Sequence, residues 1–215
     1  WRTTRRLLAV GLPISMQMVL EVSAFALTLI MMGWIGTVPL AAHQVVLSLS
    51  NIVYMVVVGI SAATTIMVSH RYGAGDYRGM RRAALASWHL GIVANLLTMA
   101  CFVAFRRFLP ELFTSDRAVI GVAAQLFLMA ALYQIPDGLQ TIALGVLRGM
   151  QDVRITMYYA FVSYIVINLP VGYFCAFILG WGAPGLWVGF IVGLCIAAFL
   201  LIRRYRRLYR RLTLD

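Results

Sequence analysis

Six apolar segments, each long enough to cross a bilayer, fix what this chain can fold into. They run roughly over residues 8–33, 39–68, 84–105, 118–147, 155–178 and 185–202, joined by short polar connections. In lipid every backbone N–H and C=O must be satisfied within the protein, so segments of this length are helices. Of the 215 residues, 62% are hydrophobic and 12% charged, which excludes an ordinary soluble domain. The expected fold is an all-α integral membrane protein, a six-transmembrane-helix bundle in the lipid bilayer.

All 18 basic residues are arginine, and against 7 acids they give a net charge of +11. A charge this large raises nucleic acid as a partner. The arginines fall at segment ends, however, where membrane topology puts them, and no nucleic-acid partner is expected. Arg2, Arg5 and Arg6, then Arg71, Arg78, Arg81 and Arg82, then Arg148 and Arg154, then the six of the tail 203–215 alternate onto one side. Only Arg106, Arg107 and Arg117 fall on the other. The positive-inside bias therefore puts both termini in the cytoplasm. Trp34, Trp181 and Trp187 lie near the outer connections and are expected at the interface. The tail, RRYRRLYRR, reads as a lipid-headgroup anchor in preference to an RNA-binding segment. Cys101, Cys175 and Cys195 lack metal-type spacing and read as small hydrophobes. The chain begins at Trp1, not at Met, and is expected to be a piece of a longer one.

Two acids lie inside apolar segments; the other five fall in connections or at the terminus. Asp137 sits about 16 Å in from Arg148 at the helical rise, near the middle of a hydrocarbon core about 30 Å thick. Glu21 lies about 22 Å from Arg6. A carboxylate at such depth costs roughly 2.5–3.5 kcal/mol on insertion scales and needs a partner, a proton or water. No basic residue falls well inside any segment, so each acid is expected to be protonated, to bind a cation or to face water.

Neutral polar residues accompany both acids. Gln17 precedes Glu21 by one turn and Thr28 follows two turns later, giving the first segment a polar face. Tyr133 and Gln140 share a helix face with Asp137. Pro136 lacks an N–H and crowds the carbonyl of Leu132, loosening the helix as a hinge beside the acid. Asn168, about 21 Å from Arg154, reaches a similar depth, one turn after Tyr164. Phe25, Phe127 and several methionines are suited to an adaptable apolar wall.

Elsewhere the residues read as structural. His43 is expected to be an interfacial, hydrogen-bonding histidine, and the third segment, with His89 and Asn95, as mainly a packing element. His70–Arg82, HRYGAGDYRGMRR, lacks dinucleotide or P-loop spacing and reads as a tight cytoplasmic connection. Gly145 with Gly149, and Gly185, Gly189 and Gly193, repeat at four-residue spacing and predict close helix contacts.

Taken together, GLPISMQMVLEVSAFA, GWIGTVPLAAHQV, GISAATTIMVSHRYGAGDYRGMRRA, PDGLQTIALGVLRGMQD, NLPVGYFCAF and GAPGLWVG occur in order over nearly the whole chain. In this the chain resembles the C-terminal six-helix half of a multidrug and toxic-compound extrusion (MATE) family transporter. The resemblance implies one lobe of a twelve-helix protein, in which two lobes alternate between inward and outward access. It implies that Glu21 matches a glutamate of the seventh helix, and Asp137 an aspartate of the tenth with Tyr133 beside it. In relatives these belong to a cation-binding and substrate-coupling site. The N-terminal six-helix lobe, with its own acid in the first helix, is missing from this chain.

The function expected is therefore secondary antiport, not enzyme catalysis: export of cationic or amphipathic organic compounds in exchange for H⁺ or Na⁺. Glu21 and Asp137 would carry the coupling ion, and Tyr133, Gln17, Gln140 and Asn168 would orient substrate or ion. No cofactor and no structural metal are expected, only Na⁺ or H⁺ at the two acids. The resemblance implies a bacterial inner membrane. The alternative is a lipid-linked oligosaccharide flippase of the same superfamily, whose pyrophosphate calls for basic residues at mid-membrane. A metal-dependent enzyme acting on phospholipid headgroups would need clustered acids that the sequence lacks, and a purely structural subunit would leave two midplane acids unexplained.

Overall fold

The structure, a computed structural model, describes residues 2–214, apart from the side chains of Arg2, Thr3, Arg6 and Leu214. The topological readings of Arg2 and Arg6 and the terminal Asp215 thus lie outside the described residues. Six helices are long and apolar enough to cross a membrane: Leu7–Ile35, Thr37–Gly73, Tyr77–Phe105, Arg117–Gly149, Val153–Ile178 and Ala183–Thr213. These are the first to sixth spans below. Each contains its sequence-predicted segment and extends beyond it.

The connections are short because local chemistry starts and stops the helices abruptly. Gly36 alone separates the first span from the second, at a φ of +153° that side chains disfavour. Asp76 opens the third span by accepting the Gly79 N–H at 2.8 Å, and Arg71 binds its other oxygen at 2.9 Å. Only residues 74–76 of the glycine-rich stretch lie outside helices, so it is the tight turn its sequence predicts. Between the third and fourth spans a four-residue helix, Phe108–Glu111, fills the longest connection, and Asp116 caps the fourth span through Ala118 N–H at 2.8 Å.

The fourth span is the centre of the bundle, packed by the second, sixth and third. Between Ala130 and Gly149 it is buried on nearly every side. Small residues let its neighbours close in. Ser61 of the second span donates to the Thr141 carbonyl at 2.7 Å, and Thr65 donates to the Gly145 carbonyl at 3.0 Å. A Cβ on Gly149 would stand 2.9 Å from the Thr65 carbonyl, so the four-residue glycine spacing marks a backbone contact as predicted. The first span lies to one side, chiefly against the fifth.

The fifth span is not a plain α-helix. It opens as α-helix over Val153–Ala160 and widens to π over Phe161–Asn168. After one α turn at Leu169–Tyr173 it is π again over Phe174–Ile178. Its flank receives the glycine stripe of the sixth span: a Cβ on Gly185 would lie 2.6 Å from Ala176 N, and one on Gly189 2.7 Å from Gly172 Cα. The sixth helix itself runs unbroken over Ala183–Leu214, so the basic tail 203–215 continues it as helix through the described residues. Asp152 anchors that extension, its carboxylate accepting from Arg204 at 2.7 and 3.2 Å.

Two sequence expectations are corrected here. Trp34 and Trp181 are well exposed, but Trp187 is 1% exposed and stands in the core, edge-on to His43 at 5.6 Å and Tyr133 at 5.7 Å. Trp187 lies two residues from Gly185, on the opposite side of the helix, so while the glycine stripe packs on the fifth span the indole packs on the second and fourth. His43 is not interfacial either. It is fully buried, and neither ring nitrogen has a hydrogen-bond partner among the described residues.

Candidate functional site

A cavity of about 350 Å³ lies between the first and second spans, which are joined at Gly36. Glu21, Met18, Val22 and Phe25 line one wall; Ser50, Asn51 and Tyr54 line the other; Tyr133 of the fourth span closes the back. The cavity thus presents a carboxylate among apolar and neutral polar surfaces. Phe25 stacks on Phe190 with ring centroids 4.6 Å apart, which fixes its wall. Phe127 is not part of that wall: it is fully buried, edge-on to Phe102 in the core.

Asp137 lies behind this cavity. It is 2% exposed, and Tyr133, one turn earlier, presents its hydroxyl toward its carboxylate. Glu21 faces Tyr54 across the cavity and lies near the Tyr164 hydroxyl. Gln140 donates to the Tyr164 hydroxyl at 2.6 Å, so fourth-span and fifth-span residues join around the glutamate of the first. The two acids are close enough to act on each other electrostatically. Sequence spacing alone put them at similar depth; the packing puts them in one site. Pro136 is buried within an unbroken helix beside them.

The expectation that no basic group serves these acids is overturned. Arg148, placed by sequence among the topology-setting charges, turns inward, and its Nη2 donates to Gln17 Oε1 at 3.2 Å. Gln17 is one turn from Glu21, and the guanidinium acts on that carboxylate as a counter-charge. A long arginine side chain spans the distance that helical rise assigns to backbone alone.

Asn168 is buried at the fifth span's contact with the sixth. The glycine stripe of the sixth span covers it, and a Cβ on Gly193 would stand 2.9 Å from Asn168 Cβ. Asn168 ends the π turn Phe161–Asn168, in which Ser163, Tyr164 and Asn168 are the buried residues. Its Nδ2 is buried with no hydrogen-bond partner among the described residues. Asn95 also bears on the site from outside, its side-chain amide pressing on Gly138 next to Asp137.

Tyr54, Tyr164 and Arg148 are site residues that sequence reasoning did not single out. Tyr164 carried a signal, a phenol deep in an apolar span; Tyr54 follows Asn51 by three residues on the same face. Several polar atoms around the acids lack partners among the described residues: Gln17 Nε2, Gln140 Oε1, Ser50 Oγ and Arg148 Nε. Buried polar atoms of this kind ordinarily find one.

Comparison with known proteins bears on this arrangement. The sequence pattern of the MatE family matches residues 13–174. The chain is 38% identical over 213 residues to a protein of Xanthomonas campestris pv. campestris called probable multidrug resistance protein NorM. That alignment covers 99% of this chain and 46% of the relative. It is 39% identical over 215 residues to multidrug resistance protein MdtK of Pectobacterium atrosepticum, covering 96% of this chain and 46% of that one. In structure it is similar to the Vibrio cholerae MATE transporter VcmN in the bent form, with a TM-score of 0.90 and 17% identity over 99% of this chain and 48% of the other. The chain therefore spans about half the length of the curated relatives it matches.

Proposed function

The chain belongs to the MatE family, and from that premise we propose that it is the C-terminal lobe, residues 1–215, of a twelve-helix antiporter. The antiporter exports cationic or amphipathic organic compounds in exchange for H⁺ or Na⁺. The observation that carries this reading is the proximity of Glu21, which lines the cavity, to Asp137, buried behind it next to Tyr133, among hydroxyls and amides. Arg148 offsets one of the two carboxylates, and the second cannot stay charged in this low-dielectric site without a further cation, so a coupling ion and a cationic substrate compete for the same charge. Substrate bound from inside neutralises the site; H⁺ or Na⁺ entering from outside displaces it. Each ligand drives the change only through its different affinity for the two states.

Tyr133 holds Asp137, while Gln140, through Tyr164, holds the Glu21 side. Arg148 and Gln17 close the site toward the arginine-rich end of the bundle. Met18 and Val22 continue from the cavity onto an exposed apolar face of the first span, and Met55 and Val56 do so from the second. A second six-helix lobe covers that face in this reading. Asn168 has a packing role instead of orienting the ion. Both termini lie in the cytoplasm of a bacterial inner membrane.

The flippase reading is not favoured, because a pyrophosphate would meet two acids here against one arginine already bonded to Gln17. The test is dye efflux from proteoliposomes holding the twelve-helix protein that contains this lobe, with H⁺ and Na⁺ gradients imposed separately. Efflux driven by one gradient supports the antiporter and names its ion. Efflux driven by neither contradicts it.

A further inference from the structure

A second concave surface lies away from the two acids, between the third and sixth spans at the arginine-rich end. It is a groove of about 630 Å³. Arg81 from the third span and Arg206 and Arg210 from the sixth stand at its mouth, all exposed. No carboxylate lines it, and none of these three arginines makes an ion pair among the described residues. Arg81 lies over the Tyr209 ring at 5.6 Å.

Deeper in, the lining changes character. Trp88 and Tyr205 meet edge-on at 5.3 Å. Tyr205 is 5% exposed, and both its hydroxyl and the Trp88 Nε1 are buried without a hydrogen-bond partner among the described residues. Leu85, Ile92, Leu139 and Ile202 line the rest of the groove, a mostly aliphatic wall that His89 interrupts. Basic groups at the rim, unpaired aromatic donors beneath and an aliphatic track behind match, in order, a phosphate, its ester oxygens and an acyl chain. We propose that this groove binds the headgroup of an anionic phospholipid. A free phosphate would use the arginines but leave the aliphatic wall without a purpose.

The test is native mass spectrometry of the protein released from detergent with dimyristoyl phosphatidylglycerol or phosphatidylcholine added, and in a third arm with inorganic phosphate alone. The expected result is at least about tenfold preference for phosphatidylglycerol, and no retained phosphate. Replacing both Arg206→Ala and Arg210→Ala removes two charges from the groove and weakens retention by about thirtyfold, at about fivefold per arginine. Arg207→Ala with Arg211→Ala removes the same charge from the same helix outside the groove and costs less than about threefold. Tyr205→Phe, which keeps the ring and deletes only the hydroxyl, weakens retention by about threefold. Each variant is first checked for an unchanged melting profile, and Arg81→Ala replaces any double variant that melts early. Equal losses from the two double variants would reduce the site to general surface charge and overturn the proposal. Equal retention of the two lipids, or retention of phosphate alone, would overturn it as well.

Discussion

Arg148 Nη2 and Gln17 Oε1 stand 3.2 Å apart, joining the fourth span to the first across residues 131 positions distant in sequence. This bond holds together two helices with little other contact between them, one turn from Glu21. Arg148→Ala deletes a charge-assisted hydrogen bond and strands Gln17, and the expected loss is roughly 1.5–3 kcal/mol. Gln17→Ala costs less, because the guanidinium keeps Glu21. Thermal unfolding in detergent of both single variants and the double variant checks this. The double variant should be less destabilised than the sum of the singles. Additive losses would mean that the two groups do not act as a pair.

The sixth span depends on having no side chain at Gly189. A Cβ there would stand 2.7 Å from the backbone of Gly172, so Gly189→Ala forces the fifth and sixth spans apart and costs about 1–3 kcal/mol. Gly11, with nothing within 4 Å of its would-be Cβ, is the matched control. Gly11→Ala gains about 0.5–1 kcal/mol from helix propensity. The melting temperatures of the two variants should move in opposite directions.

These contacts were open to sequence reading because small residues at four-residue spacing have one structural use in a membrane helix. The six spans were legible for a similar reason: bilayer thickness leaves few alternatives to a long apolar run. Glu21 and Asp137 could be singled out by their cost in lipid, although only packing shows that they share a site. Arg148 was misread because its Cα position does belong to the topological pattern while its side chain does not. Trp187 and His43 were misread because end-of-span position says nothing about which face of the helix points inward. The π turns of Phe161–Asn168 have no periodic signature, so they could not be foreseen. Tyr54 was hidden by its neighbours, one more large side chain in an apolar run.

The turn before the third span carries a pH-dependent contact. The Gly79 N–H, and then Arg71, favour the ionised Asp76 and hold its carboxyl below the usual carboxylate range. A lowered folded-state value means that the contact contributes above the unfolded value, near pH 4. It is lost as pH falls through the folded one. Amide exchange at Gly79 and Met80 should therefore quicken below about pH 4 in the unmodified chain. In Asp76→Asn, which keeps a neutral cap, it should show no such step.

Under the proposed antiport, efflux separates the role of Tyr133 beside Asp137 from that of Asn168. Tyr133→Phe keeps the ring against Trp187 but removes the hydroxyl from Asp137. It should lower efflux by about tenfold while leaving the protein folded. Asn168→Ser, at a packing position, should leave the ion dependence of efflux unchanged and act through stability alone. Measuring efflux against external ion concentration separates the two, since only the first should shift the half-saturating concentration.

The most direct measurement is efflux by the twelve-helix protein carrying Asp137→Asn or Glu21→Gln, with each variant reconstituted at equal folded amounts. If the paired carboxylates couple ion entry to export, gradient-driven efflux falls in each variant by at least about a hundredfold, as expected when a charge central to the cycle is removed. Gradient-driven efflux at the unmodified rate in both variants would contradict the account.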